Sequence, residues 1–145
     1  MPLEVELFGG EPDPETGLLR YDPGATVRGL VRVGPDGPPA RGVRAVARWR
    51  ASGRAGTDEG GGSDVIVHGA DVGPGSRLEL PFEYRLPREP WSYQGELFAI
   101  DWRLEARLDV PLGRDPAAAA SFILAPRPAK QGPYPGAATA KQEDR

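Results

Sequence analysis

The stretch Phe98-Ala99-Ile100-Asp101-Trp102-Arg103-Leu104-Glu105-Ala106-Arg107-Leu108-Asp109-Val110 decides the fold class of this chain. Apolar residues hold every even position, and Asp101, Arg103, Glu105, Arg107 and Asp109 hold the odd positions after Ala99. A period of two places all the apolar side chains on one face of a β-strand, whereas a helix would scatter the same charges around its circumference. The stretch predicts a long strand with one dry face and one wet face. Residues 78 to 86 read the same way, with Leu78, Leu80, Phe82, Tyr84 and Leu86 alternating with Glu79, Pro81, Glu83 and Arg85.

Outward from these two segments the alternation weakens but persists. Residues 3 to 8, 26 to 33 and 41 to 51 read as strands; in the last, Val43, Ala45, Ala47 and Trp49 oppose Arg44, Val46, Arg48 and Arg50. Asp64 to Val72 and Ala118 to Leu124 complete a set of about seven, the run of four Ala before Ser121 suiting a helix equally well. Turn residues separate them at Asp22-Pro23-Gly24, Gly34-Pro35-Asp36-Gly37-Pro38-Pro39, Gly60-Gly61-Gly62-Ser63, Gly73-Pro74-Gly75 and Gly113-Arg114-Asp115-Pro116. With 20 Gly and 17 Pro the chain is punctuated too often for long helices, and short strands at this spacing suggest a sandwich or barrel. Its 145 residues suit one domain, expected over residues 1–125 and followed by a Pro-, Ala- and Gly-rich tail over 126–145 with almost no apolar bulk.

The chain contains no cysteine, which excludes disulfides, thiolate metal sites and cysteine nucleophiles. Its opening, Met1-Pro2-Leu3-Glu4-Val5-Glu6-Leu7, lacks a basic region followed by an apolar run, and no segment reaches bilayer-spanning length, so a cytoplasmic protein without a membrane span is expected. The formal charge is −3, and every basic residue except Lys130 and Lys141 is arginine. Abundant Ala, Arg, Gly and Pro point to a GC-rich bacterial genome. Without net positive charge the molecule lacks the field of a general nucleic-acid binder, and no nucleic-acid partner is expected.

The segment Pro81-Phe82-Glu83-Tyr84-Arg85-Leu86-Pro87-Arg88-Glu89-Pro90-Trp91-Ser92-Tyr93-Gln94-Gly95 resembles a hallmark of arrestin-like domains: an aromatic-rich strand ending in Leu-Pro, then Pro, Ser, an aromatic and Gly. The following Ile100 to Pro111 is similar to the family's next strand, with Trp102 near the expected aromatic. Upstream, Tyr21 to Val33 resembles the family's opening, in which a Gly turn leads into Val-x-Gly-x-Val, and Arg41 to Arg50 parallels the strand after it. The resemblance runs from about Leu3 to Leu124. It implies an antiparallel, immunoglobulin-like β-sandwich of about seven to eight strands, like an arrestin N-terminal domain. It also implies an adaptor or scaffold role, as in arrestins, retromer-type cargo proteins and bacterial sporulation-control relatives. Two departures limit the transfer: there is room for one such domain where arrestins pair two, and Glu4 and Glu6 stand where phosphate-sensing arrestins present lysines.

Candidate chemistry is sparse. His68 is the one histidine; Ser63, Ser92, Asp64 and Asp71 are nominal triad partners, but neither serine sits in a nucleophile elbow. Glu11, Asp13 and Glu15, or Asp58 and Glu59 with Asp64, lack the spacing of a calcium loop. No catalytic residue, metal or cofactor is expected. Candidate partner-binding residues are Arg44, Arg48 and Arg50, which project on one side of a strand and can align with Arg103 and Arg107; the competing reading is that neighbouring carboxylates pair with them. Trp49 and Trp102 fall on apolar faces and are expected in the core; Trp91 is the candidate for an exposed partner or sugar contact, against the competing reading of a packing role at the Leu-Pro corner. The segment Ala51 to Ser63, with Arg54, Asp58 and Glu59, reads as a glycine-rich, mobile loop where arrestins place an inserting loop: either an adaptable contact loop or a tolerated surface insertion. The expected function is a non-enzymatic protein-interaction module with an unidentified protein partner. The alternative is a ligand-binding sandwich for a carbohydrate or an anionic small molecule. A homodimer through sheet edges is also expected, since a lone sandwich must cover unpaired edges; the tail is the other cover considered.

Overall fold

The computed structural model describes residues 2–111 and 113–126. Among them the strands are β1 (Leu3–Phe8), β2 (Glu11–Pro12), β3 (Leu19–Tyr21), β4 (Thr26–Val33), β5 (Val43–Gly53), β6 (Gly56–Gly61), β7 (Val65–His68), β8 (Leu78–Arg85), β9 (Tyr93–Gln94), β10 (Phe98–Leu108) and β11 (Ala117–Leu124). β1, β4 and β8 form a three-stranded sheet in that order. The larger sheet runs β2-β3-β11-β10-β5-β6, with β7 also pairing β5 and β9 pairing β10. All pairings are antiparallel except β3 with β11, where Arg20 and Tyr21 lie beside Ile123 and Leu124 in parallel. Eight strands have four or more residues, in keeping with the expected seven to eight. The expected tail lies, apart from Pro126, outside the described residues.

The alternating segments point their apolar faces at one shared core. From β4 come Val27, Val31 and Val33, from β8 Phe82 and Tyr84, from β5 Val43, Ala45 and Ala47, and from β10 Trp102, Leu104, Ala106 and Leu108; β11 adds Phe122 and Leu124. No polar or charged residue is buried among the described residues, so the core is held by apolar packing. The Val27-x-Gly29-x-Val31 pattern has a steric cause: Gly29 faces Phe82 across the β4–β8 pair, and a Cβ there would lie 2.5 Å from the Phe82 ring. Pro81, without an N–H, is tolerated because β8 is outermost in its sheet.

The Leu-Pro corner closes one end. The Glu89–Pro90 peptide is cis. Trp102 Nε1 donates to the Pro90 carbonyl at 2.7 Å, and Trp102 and Tyr21 both pack on Phe122 with ring centroids 5.9 Å apart. Burial raises the Tyr21 phenol above its ordinary pKa, and its hydroxyl donates to the Phe8 carbonyl at 2.8 Å.

Three expectations need correction. Residues 51–63 are not a loop: β5 continues to Gly53, turns through Arg54 and Ala55, and returns as β6. Their glycines serve close approach instead. Gly56 adopts φ +117° at the turn, and the Trp49 indole lies over Gly60, its cross-strand partner. Trp49 is consequently half-buried rather than a full core residue. The strand expected over 64–72 is shorter, ending at His68, with Val72 making only an isolated bridge to Ala40.

Candidate functional site

The β5–β10 ribbon carries most of the candidate residues, and its register sorts them. Arg44 lies opposite Arg107, Val46 opposite Glu105, Arg48 opposite Arg103 and Arg50 opposite Asp101. Directly opposed residues share a face, so all five arginines stand together on the outer surface of the larger sheet. Glu59 of β6 joins them beside Arg50.

Glu105 is the hub of this face. Its Oε1 accepts from Arg48 Nε at 3.1 Å and from Arg107 at 2.8 Å, and Arg103 Nε lies 4.0 Å from Oε2. Its side chain is only 14% exposed, screened by the guanidiniums around it. Asp101 accepts from Gln94 Nε2 at 2.8 Å. The carboxylate pairing expected to neutralise the stripe is therefore real for Arg48, Arg103 and Arg107. Among the described residues no ion pair is made by Arg44 or Arg50, both exposed. The flank on β11 is low and neutral, with Ala117, Ala119 and Ser121 beside Arg107, Glu105 and Arg103.

A second surface lies at the hairpin end of the same ribbon. β5 and β10 each run eleven residues, whereas β4 and β8 run eight, so the ribbon outreaches the opposing sheet. There the inward face is bare. Ala51, Gly53, Arg54 and Asp58 line an open apolar groove of about 530 Å³ with Leu97 and Phe98. Leu97 is 66% exposed and Phe98 46%, and the Phe98 ring stacks on exposed Tyr93 with centroids 4.8 Å apart. Arg54 and Asp58 thus belong to this groove and not to the arginine face. Trp91, 52% exposed, lines neither; its Nε1 donates to the Arg88 carbonyl at 3.0 Å.

The nominal chemical groups have structural partners. The Ser92 hydroxyl accepts from the Leu124 amide at 2.9 Å, while the Ser92 amide donates to the Leu124 carbonyl at 2.8 Å, tying the corner to β11. The Ser63 carbonyl accepts from Tyr84 Oη at 2.6 Å. Among the described residues no hydrogen bond joins His68 to either serine, and no three His, Cys, Asp or Glu residues gather as a metal site. Asp13 accepts from the Thr16 amide and hydroxyl, which hold its carboxyl below the ordinary value. No described helix is long and apolar enough to cross a membrane.

Two features escaped the sequence reading. Phe98 reads as the start of a core strand, and the difference in strand length exposes it, together with Leu97 in the bend just before it. Arg20 is a structural clamp: it pairs with Asp22 at 2.8 Å and Glu11 at 2.9 Å and donates to the Ala125 carbonyl at 2.6 Å, joining β2, β3 and the exit of β11. Asp22 foremost, with Glu11, raises the guanidinium above its ordinary pKa against the opposing effect of burial. The Glu11-x₈-Arg20 spacing carries no signal that could have revealed this.

No protein-family model matches the chain, and no curated protein matches it. Among solved structures it is similar to Spo0M, a sporulation control protein from Bacillus subtilis, with 19% sequence identity and a TM-score of 0.61. The likeness covers 88% of this chain and 51% of that one, so this chain spans about half the length of Spo0M. The fold is arrestin-like. Within the arrestin-like sandwich, the hallmark segment 81–95 becomes β8, the cis-proline corner and β9. At this identity the likeness speaks for the fold; the arginine face and the hairpin groove are properties of this chain's own residues.

Proposed function

We propose that this arrestin-like domain is a non-enzymatic protein-interaction module, an adaptor or scaffold that engages its partner through the hairpin end of the β5–β10 ribbon. The observation that carries the reading is the bare apolar surface at Leu97, Phe98 and Tyr93, of which Phe98 and Tyr93 sit on paired strands and Leu97 in the short bend between them. Apolar side chains clustered on an exposed rim mark interaction sites on soluble proteins, and a rigid platform reduces the ordering entropy that binding must overcome. The similarity to Spo0M, a sporulation control protein, supports a regulatory role. A bacterial cytoplasmic setting belongs to the same reading, on the strength of the Ala-, Arg-, Gly- and Pro-rich composition. So do the division into a sandwich over 1–125 and a tail over 126–145, and homodimerisation through a sheet edge. β1 is the longest outer strand free of Pro and Gly.

Affinity capture from the native cell extract, with wild type and Leu97→Asp/Phe98→Asp as paired baits, tests the reading. A defined protein retained by the wild type and lost by a variant of unchanged melting temperature is the expected result. A melting shift with a carbohydrate or anionic small molecule, and no hairpin-dependent protein, would establish the ligand-binding alternative instead.

A further inference from the structure

The arginine face is distinct from the hairpin groove and calls for a ligand of its own. Like charges directly opposite on neighbouring strands repel, yet this face has two such rungs, Arg44 with Arg107 and Arg48 with Arg103. Glu105 compensates from the rung between them, and it is shared by three guanidiniums. Arg44 and Arg50 at the two ends make no ion pair among the described residues, and Ala117, Ala119 and Ser121 leave the flank open. Arg44 to Arg50 extends about 20 Å along the strand, with side chains on this face every ~6.6 Å. Val46 on the same face is nonetheless buried, as expected where arginine stems lie over a sheet surface and keep their charged heads outward.

We propose that this face binds an extended acidic segment of a partner protein. Carboxylates two residues apart in an extended chain recur at ~6.6 Å and project to one side, matching Arg48 and Arg50, with Arg44 two intervals further along past the Val46–Glu105 rung. A point anion would meet only one rung. A nucleic-acid strand fits less well: no aromatic side chain interleaves with the arginines for base stacking, and Glu105, Asp101 and Glu59 would repel an unbroken phosphate backbone. An acidic peptide avoids that conflict where a neutral side chain faces Glu105.

The test is an anisotropy titration of the full chain, at low and moderate salt, with a fluorescein-labelled alternating Glu-Ser peptide. A Gln-Ser counterpart, a short oligo-dT and inorganic phosphate as competitor complete it. The Glu-Ser peptide alone should bind, more weakly as salt rises. Arg44→Gln/Arg50→Gln, which removes two guanidiniums without internal partners, should weaken binding by about tenfold or more at unchanged melting temperature. Glu105→Gln should tighten it, because the arginines then lose their internal competitor; a merely structural Glu105 would not do so. Absence of Glu-Ser binding, equal binding of the Gln-Ser peptide or oligo-dT, displacement by phosphate at peptide-equivalent concentration, or indifference to the double substitution would each overturn the proposal. Leu97→Asp/Phe98→Asp should leave this titration unchanged, so the hairpin reading and this one fail separately.

Discussion

The two ends of the β5–β10 ribbon obey the same alternation and have opposite fates. At one end Leu104, Ala106 and Leu108 face Ala47, Ala45 and Val43 and are wholly buried; at the other, Phe98 and Ile100 face Gly53 and Ala51 and are partly or largely exposed. The side-chain pattern does not distinguish them. What differs is the opposing sheet, three residues shorter than the ribbon, which covers one end and leaves the other bare. An apolar stripe on a strand thus states which way a face points, and only the partner sheet determines whether it is core or contact surface.

Truncating matched aromatics separates the two ends most strongly. Trp102→Ala should cost about 3 to 5 kcal/mol, because it empties a sealed site and orphans the Pro90 carbonyl, whereas Phe98→Ala should cost roughly 1 kcal/mol or less. Chemical denaturation measures both, and equal costs would mean that the hairpin end is covered. A smaller contrast lies in two glycines beneath aromatic rings. Gly29→Ala pushes a methyl against buried Phe82 and the Glu6 carbonyl, and should destabilise by about 1 to 3 kcal/mol. Gly60→Ala meets first the half-buried Trp49 ring, which can swing outward, and should stay below roughly 1 kcal/mol.

Acrylamide quenching reads the same gradient through exposure instead of stability. The accessible order should be Trp91, then Trp49, then Trp102, read from single-tryptophan variants with the others changed to Phe. Least in magnitude, amide exchange should be slower at Leu104 to Leu108 than at Phe98 to Ile100, although both runs are laddered to β5.

Much of the architecture is legible in the residues. β1 and β4 begin and end where their alternation does, and β8 and β10 differ from the expected segments only at their C-terminal ends, since period-two patterning is a local property of the chain. β6 was missed because glycine richness reads as mobility, while here glycine makes room for Trp49 and for close backbone approach at Gly53 and Gly61. β2 and β3 are too short to show a period, and their place depends on Arg20 reaching carboxylates and a carbonyl distant in sequence. The arginine stripe was visible along β5 and again along β10; that Glu105 sits at its centre was not.

The residues alone set the all-β class, the facing of each long strand and the placing of the arginines on one side of β5 and of β10, because each follows from neighbours two residues apart or from turn chemistry; the Leu-Pro corner was legible through its resemblance to the family's segment. Only the tertiary structure decided which apolar stripe is sealed, which arginines keep an internal partner and which glycines lie beneath rings. Those outcomes depend on strand register and on how far one sheet extends over another, quantities set by packing between segments far apart in the chain.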